Sequence, residues 1–233
     1  MHEQGRDGES PSGPPRGGPE RPLVECSLVF LAFYLASYLF ARSSKADLAS
    51  PGYHLSVIAV NLPRAALLLY LMAVGDGLGS FRILRFRPKD AARGLVCSLG
   101  AFAVVLVPGL LFSALGVENG FLAQARSGPR AGIALAPFIL ASSAATGYCE
   151  ELFFRSYLLR RLGQAGAPRP WAAVASAVLF GIGHGYQGII GLVSGSLLGL
   201  FFAWRWYDAE NIHEVAIGHG LFDAAVFAIA LYS

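Results

Sequence analysis

Two adjacent carboxylates, Glu150 and Glu151, occur within an apolar stretch near the middle of this chain. Two later apolar stretches each contain one histidine, His184 and His219, and Asp223 follows His219 by four residues. Ionisable groups in apolar membrane segments are costly to desolvate, so they commonly mark functional sites. A carboxylate with imidazole partners can activate water for amide hydrolysis, either directly or around a zinc ion. The residue types therefore point to a hydrolytic site inside a membrane.

The spacing gives the two glutamates different expected roles. Consecutive helical residues point about 100° apart, so Glu150 and Glu151 cannot share one face of a helix. Glu151 precedes Arg155 by four residues, which is the favoured order for an ion pair along a helix. Glu150 has no such neighbour and is expected to face other segments as a general base. We therefore predict a structural pair, Glu151 with Arg155, and a catalytic Glu150.

The histidine segments leave two kinds of site open. His219 and Asp223 share a helical face, so the carboxylate can set the imidazole tautomer or join it in binding a metal. Zinc, if used, would take His184, His219 and Asp223 as ligands, and no other cofactor is indicated. The sequence lacks the His-Glu-x-x-His pattern of common zinc proteases and the Gly-x-Ser-x-Gly pattern of serine hydrolases. Ser142 and Ser143 are expected to lie on small-residue helix faces without a paired base.

Composition predicts the elements that must position these groups. Of the 233 residues, 55% are hydrophobic and 14% are charged, whereas soluble domains contain about 25% charged residues. Several apolar stretches approach the ~20 residues that cross a bilayer core. They cover residues 23–41, 53–74, 92–116, 131–149, 171–187, 188–206 and 214–232. The predicted fold is all-α: a polytopic transmembrane bundle of seven helices, or eight if 149–162 forms its own.

The remaining composition narrows the class of protein further. Residues 1–22 are polar and are expected to form a disordered tail ahead of a single membrane domain, 23–233. A net charge of only +3 does not suggest a nucleic-acid partner. The three cysteines lie in or beside apolar runs, which favours buried free thiols over disulfides.

The distribution of Lys and Arg predicts the orientation of the bundle. If the loops after the second and fourth stretches are cytoplasmic, thirteen of the 18 Lys and Arg residues lie on the cytoplasmic side. Four lie on the opposite side, and Arg64 lies within a span. Because basic residues are retained on the cytoplasmic side, the N-terminus is predicted to be cytoplasmic, in a cell (inner) membrane.

Taken in order, the three patterns resemble a known family. They are Glu150-Glu151-x-x-x-Arg155, Phe180-x-x-x-His184 and His219-x-x-x-Asp223. They resemble the motifs of the CAAX protease and bacteriocin-processing (CPBP, or Abi) family of intramembrane proteases, which includes the Ras-converting CAAX endopeptidase. The resemblance covers about residues 131–233.

The resemblance implies a helical bundle with a water-filled intramembrane cavity. It implies that Glu150 and His184 activate water, and that His219 and the residue at 223 hold the oxyanion. Many relatives have Asn where this chain has Asp223, and an anion is a poor oxyanion donor. A role for Asp223 in orienting an imidazole or binding metal is therefore favoured. Phe180, like Glu151 and Arg155, is expected to support the site.

The expected function is cleavage of a peptide bond in a membrane-associated protein or peptide. A CAAX-type tail, a bacteriocin leader and a C-terminal sorting anchor all remain open as substrates. The alternatives are an inactive membrane scaffold or immunity partner, and a small proton-coupled transporter. The sequence shows no inverted repeats, which weakens the transporter alternative. It does not indicate an oligomeric state or assign a role to Arg64.

Two further expectations concern residues outside the motifs. Gly191, Gly195 and Gly199 form a small-residue face that we expect to pack within the bundle rather than to form a dimer. His213 and Glu214 are expected to belong to a solvated polar loop.

Overall fold

The computed structural model describes residues 20–35, 46–209 and 211–232. The predicted polar tail lies outside the described residues as far as residue 19, and so does the end of the first predicted span. Every described regular element is helical, which confirms the predicted all-α membrane fold.

The long helices follow the predicted apolar stretches closely. Helix α1 spans Glu20–Phe30 and continues as a π-helical turn over Leu31–Leu35. The helices that follow are α2 (Pro51–Val74), α3 (Pro88–Ala114), α4 (Gly120–Ser127), α5 (Ala136–Glu151), α6 (Leu159–Gln164), α7 (Arg169–Gly183), α8 (Ile189–Asp208) and α9 (His213–Tyr232).

Five of these segments are long and apolar enough to cross a membrane, which makes the chain a multi-pass membrane protein. One of them runs through Ile133–Gln164, because a π-helical segment, Leu152–Leu158, joins α5 to α6 without a break. Residues 149–162 are therefore a continuation of the preceding helix rather than a separate one. Helix α7 is shorter, with 15 residues.

Successive long helices run antiparallel, so the loops gather at two ends. One end, which we call the basic end, contains residues 75–87, 165–168 and 209–212. There Arg82 donates to the carbonyls of Trp206 and Ala209, at the end of α8. The other end, which we call the distal end, contains residues 46–50, 115–135 and 184–188. There the Gln124 side chain donates to the carbonyl of Ala46.

Small residues let the central helices approach closely. Helix α9 packs against α3 and α5, and α7 packs against α8. A Cβ added at Gly147 of α5 would lie 2.7 Å from the backbone nitrogen of Gly220 in α9. One added at Gly199 of α8 would lie 2.8 Å from Cα of Ala177 in α7. The predicted small-residue face of α8 thus packs within the bundle, as expected.

The sequence expectation that Glu214 lies in a solvated loop was wrong. Glu214 is buried rather than solvated, since it pairs with Arg205 and lies 3.9 Å from a guanidinium nitrogen of Arg93. His213 is also engaged, because its ring contacts the Tyr148 hydroxyl and the Leu84 carbonyl. Arg155 is fully buried and so adds nothing to the surface charge of the basic end, although the charge count included it.

Candidate active site

A cavity of about 650 Å³ brings the predicted catalytic residues together. Four of its lining residues are the ones predicted from the sequence, and they come from three segments: Glu150, His184, His219 and Asp223. The remaining walls come largely from α2, the start of α8 and the second half of α9. The bundle thus joins groups that lie up to 73 residues apart in the sequence.

The two glutamates differ in exposure, as their spacing predicts. The Glu150 side chain is 18% exposed, and it lies in the cavity wall. The Glu151 side chain is completely buried and does not line the cavity. Glu150 alone of the pair is therefore placed to meet water or substrate in the cavity.

Glu151 forms the predicted ion pair with Arg155. Oε2 of Glu151 lies 3.0 Å from Nε of Arg155, and both side chains have no exposed surface. The guanidinium also donates from Nη1 to the Ser176 hydroxyl over 2.9 Å. It lies beside the rings of Phe154, Phe180 and Phe202, at 5.1 to 5.9 Å from their centroids. This apolar enclosure screens the pair from solvent.

Glu151 has a second contact that the spacing did not reveal. Its other oxygen, Oε1, accepts a hydrogen bond from Nδ1 of His219 over 2.9 Å. A carboxylate can only accept, so Nδ1 must carry the proton and Nε2 faces the cavity side. The tautomer of His219 is therefore set by Glu151. The suggestion that Asp223 sets it by accepting from the ring was wrong.

The imidazole of His219 is confined on its faces as well as at Nδ1. Its ring stacks on Phe202 with centroids 5.0 Å apart, and the edge of Phe180 lies 5.7 Å away. Nε2 lies 3.5 Å from Oδ2 of Asp223 and 3.8 Å from Oε2 of Glu150. The ring thus presents one nitrogen to two carboxylates at the cavity floor.

His184 has the complementary arrangement at the end of α7. Nδ1 donates to the carbonyl of Phe180 over 2.8 Å, which again leaves Nε2 for the cavity. The ring also packs on Phe180, with centroids 4.5 Å apart. Phe180 thus contacts the rings of both histidines.

The arrangement of donor groups bears on the zinc alternative. Within residues 20–35, 46–209 and 211–232, no three His, Cys, Asp or Glu side chains are grouped closely enough to hold a metal ion. Nδ1 of each histidine is engaged, by Glu151 and by the Phe180 carbonyl, so only Nε2 of each ring could bind a metal. The set of His184, His219 and Asp223 does not fit a zinc site in this structure.

Several cavity features were not predicted from the sequence. Ser142 does have a paired base, because its hydroxyl lies 2.7 Å from Nδ1 of the buried His54. Asn61 donates to the Thr146 hydroxyl over 3.0 Å, which joins α2 to α5. Arg64 also lines the cavity. Polar residues within the apolar 53–74 stretch were the available signal, but the α5 partners of His54 and Asn61 lie more than 80 residues away.

Comparison with known proteins identifies the segment that carries this site. Residues 132–225 match the family model described as Type II CAAX prenyl endopeptidase Rce1-like. The match contains every residue of the three motifs, and over this segment it confirms the resemblance predicted from them. At the level of the family it supports an intramembrane protease. No curated protein and no solved structure matches the chain.

Proposed function

We propose that this protein is an intramembrane endopeptidase that uses Glu150 to activate water. The observation that carries the proposal is the division of labour between the two glutamates. Glu151 is buried in contact with Arg155 and His219, whereas Glu150 faces a cavity that also contains both histidines. A protease that activates water with a carboxylate needs one of the second kind beside the scissile bond.

The first step is attack by water on the peptide carbonyl. Glu150 accepts a proton from the water as its oxygen bonds to the carbonyl carbon. Nε2 of His184 accepts a hydrogen bond from the same water, since Nδ1 holds the ring proton. Positioning of the water by two acceptors directs one of its lone pairs at the carbon.

The second step is collapse of the tetrahedral intermediate. His219 donates from Nε2 to the oxyanion when its ring is protonated, and Glu151 and Asp223 stabilise the imidazolium. Glu150 then returns its proton to the amine nitrogen as the carbon–nitrogen bond breaks. Asp223 acts through His219 in this scheme, as a positioning residue.

The substrate is a membrane-associated protein or peptide. The cavity walls are mainly apolar helices of the bundle, so a peptide reaches Glu150 within the depth of the bilayer. A CAAX-type tail, a bacteriocin leader and a sorting anchor all meet that condition. The cell membrane is the proposed location, with the N-terminus on the cytoplasmic side.

The test compares membrane proteomes of cells that contain the wild-type protein or the Glu150→Gln variant. New protein termini are mapped by mass spectrometry, and Glu118→Gln is the control, since Glu118 lies outside the cavity. Loss of a general base lowers rates by about 10²–10⁴-fold, so wild-type-dependent termini should disappear in Glu150→Gln alone. Its thermal stability should be nearly unchanged. Cleavage retained above about a tenth of wild type would refute the role of Glu150.

Absence of any wild-type-dependent terminus would favour the inactive scaffold or immunity partner. A proton flux dependent on Glu150 in that case would favour the transporter.

A further inference from the structure

The cavity occupies only one half of the bundle. From α2 it is lined by residues between Tyr53 and Arg64, although that helix continues to Val74. From α8 it is lined by residues between Ile190 and Leu198, although that helix continues to Asp208. Both sets belong to the halves that begin at the distal end. At ~1.5 Å per residue, the last ten residues of each helix, about 15 Å, contribute no wall.

Toward the basic end the cavity is closed by a packed layer of side chains. Phe153, Phe154 and Phe202 are almost completely buried there, next to the Glu151–Arg155 ion pair. Below that layer Arg161 joins Asp76 to Glu25 of α1, at 3.1 and 3.6 Å. A peptide approaching from the basic end would have to displace both layers.

At the distal end the cavity meets a second space. The second cavity, also of about 650 Å³, is lined by residues 46–49 and by most of the segment 120–129. The side chains of Phe121 and Tyr186 line both cavities. Tyr186 is 40% exposed, and its neighbour Gln187 accepts a hydrogen bond from Asn119 over 3.3 Å. The rim of the catalytic cavity therefore lies among polar residues of the distal loops.

The charge of the two ends indicates which side of the membrane each one faces. At the basic end the described residues include many Lys and Arg: Arg82, Arg85, Arg87, Lys89, Arg93, Arg160, Arg161, Arg169 and Arg205. At the distal end they include two, Arg126 and Arg130. Basic loops are retained in the cytoplasm, so the distal rim is on the extracytoplasmic side.

We infer that the catalytic cavity is entered from the extracytoplasmic side, and that the substrate is a membrane-anchored segment exposed on that side. The substrate class rests on the proposed protease function, whereas the route of entry does not. Glu150 lies 14 residues along α5 from Ala136, about 21 Å below the distal end of that helix. An extended peptide advances ~3.4 Å per residue, so the scissile bond lies about six residues inside the membrane boundary.

The route of access is tested by cysteine labelling, which does not require activity. Ser56 and Gln187 line the cavity, and Ser80 lies exposed at the basic end. The native cysteines are buried, so the unsubstituted chain measures the background. Each of Ser56→Cys, Gln187→Cys and Ser80→Cys is treated with a membrane-impermeant maleimide, in intact cells and in inside-out vesicles.

We expect Ser56→Cys and Gln187→Cys to label in intact cells, and Ser80→Cys to label only in inside-out vesicles. Labelling of the cavity cysteines only from the side that labels Ser80→Cys would overturn the inference. Labelling from neither side would also overturn it, because the cavity would then be closed. Labelling of Ser80→Cys in intact cells would reverse the orientation and place the rim in the cytoplasm.

The mapped cleavage sites test the substrate class separately. We expect them about six residues inside the extracytoplasmic boundary of a membrane segment. Sites on the cytoplasmic side would refute the inference while the protease function stands. If no sites were found, the proposed function would fail, and the labelling result alone would decide the route of access.

Discussion

The ion pair between Glu151 and Arg155 allows a quantitative test of how the site is supported. Both side chains are fully buried and 3.0 Å apart, so neither charge can be solvated if its partner is removed. Removing one member of such a pair costs about 3–5 kcal/mol, whereas replacing both is much milder. Glu151→Gln and Arg155→Met should each lose that amount of unfolding free energy. The double variant should lose about as much as one single variant, or less.

The measurement is a double-mutant cycle on unfolding in mixed micelles of a mild and a denaturing detergent. Gln at 151 can still accept from Nδ1 of His219, so the cycle isolates the contact with Arg155. Arg160→Met is the matched control, because Arg160 lies 3.6 Å from Asp76 and both side chains are about 30% exposed. Pairs exposed to that extent contribute ~1 kcal/mol or less.

Additive penalties would refute the reasoning. A double variant that loses the sum of the two single losses would show that the side chains do not interact in the folded protein. Arg155 would then not hold Glu151, and the assignment of Glu150 as the catalytic carboxylate would rest only on its exposure to the cavity. A penalty for Arg160→Met as large as that for Arg155→Met would show that burial does not determine the cost.

Three further outcomes are expected. Strong chelators should leave activity unchanged, since the donor groups do not converge on a metal site. Elemental analysis should find no stoichiometric zinc in wild type or in Asp223→Asn. Chelator-sensitive activity with bound zinc would contradict this prediction. Reporter fusions within 76–93 should be cytoplasmic and those near Glu118 external, and reversal at both would overturn the charge-based orientation. Gly147→Ala should destabilise the protein by about 1–3 kcal/mol in the same unfolding assay, because the added Cβ would meet backbone atoms of α9. Gly163→Ala is the control and should be neutral, because its Cβ would meet no atom within 4 Å.

Much of the architecture followed from the sequence because a bilayer imposes simple rules on length and polarity. A helix must cross ~30 Å of hydrocarbon, so apolar runs of about 20 residues marked the spans. Local spacing within one helix also sufficed to pair Glu151 with Arg155, since residues four apart always lie on one face. One local feature of the helices did not follow from the sequence. The join at 152–158 is a π-helical turn, and hydropathy does not distinguish it from a break.

The contacts between helices were decided by tertiary structure alone. Nδ1 of His219 is held by Glu151, 68 residues earlier, whereas Asp223 on its own helix lies 3.5 Å from Nε2. That choice depends on how deeply α9 sits against α5, which the close contact of Gly147 with Gly220 permits. The pairing of His54 with Ser142 has the same origin. Residue spacing determines which side chains share a helical face, but the depth and rotation of packed helices determine which faces meet, and these depend on the shape of every neighbouring residue at once.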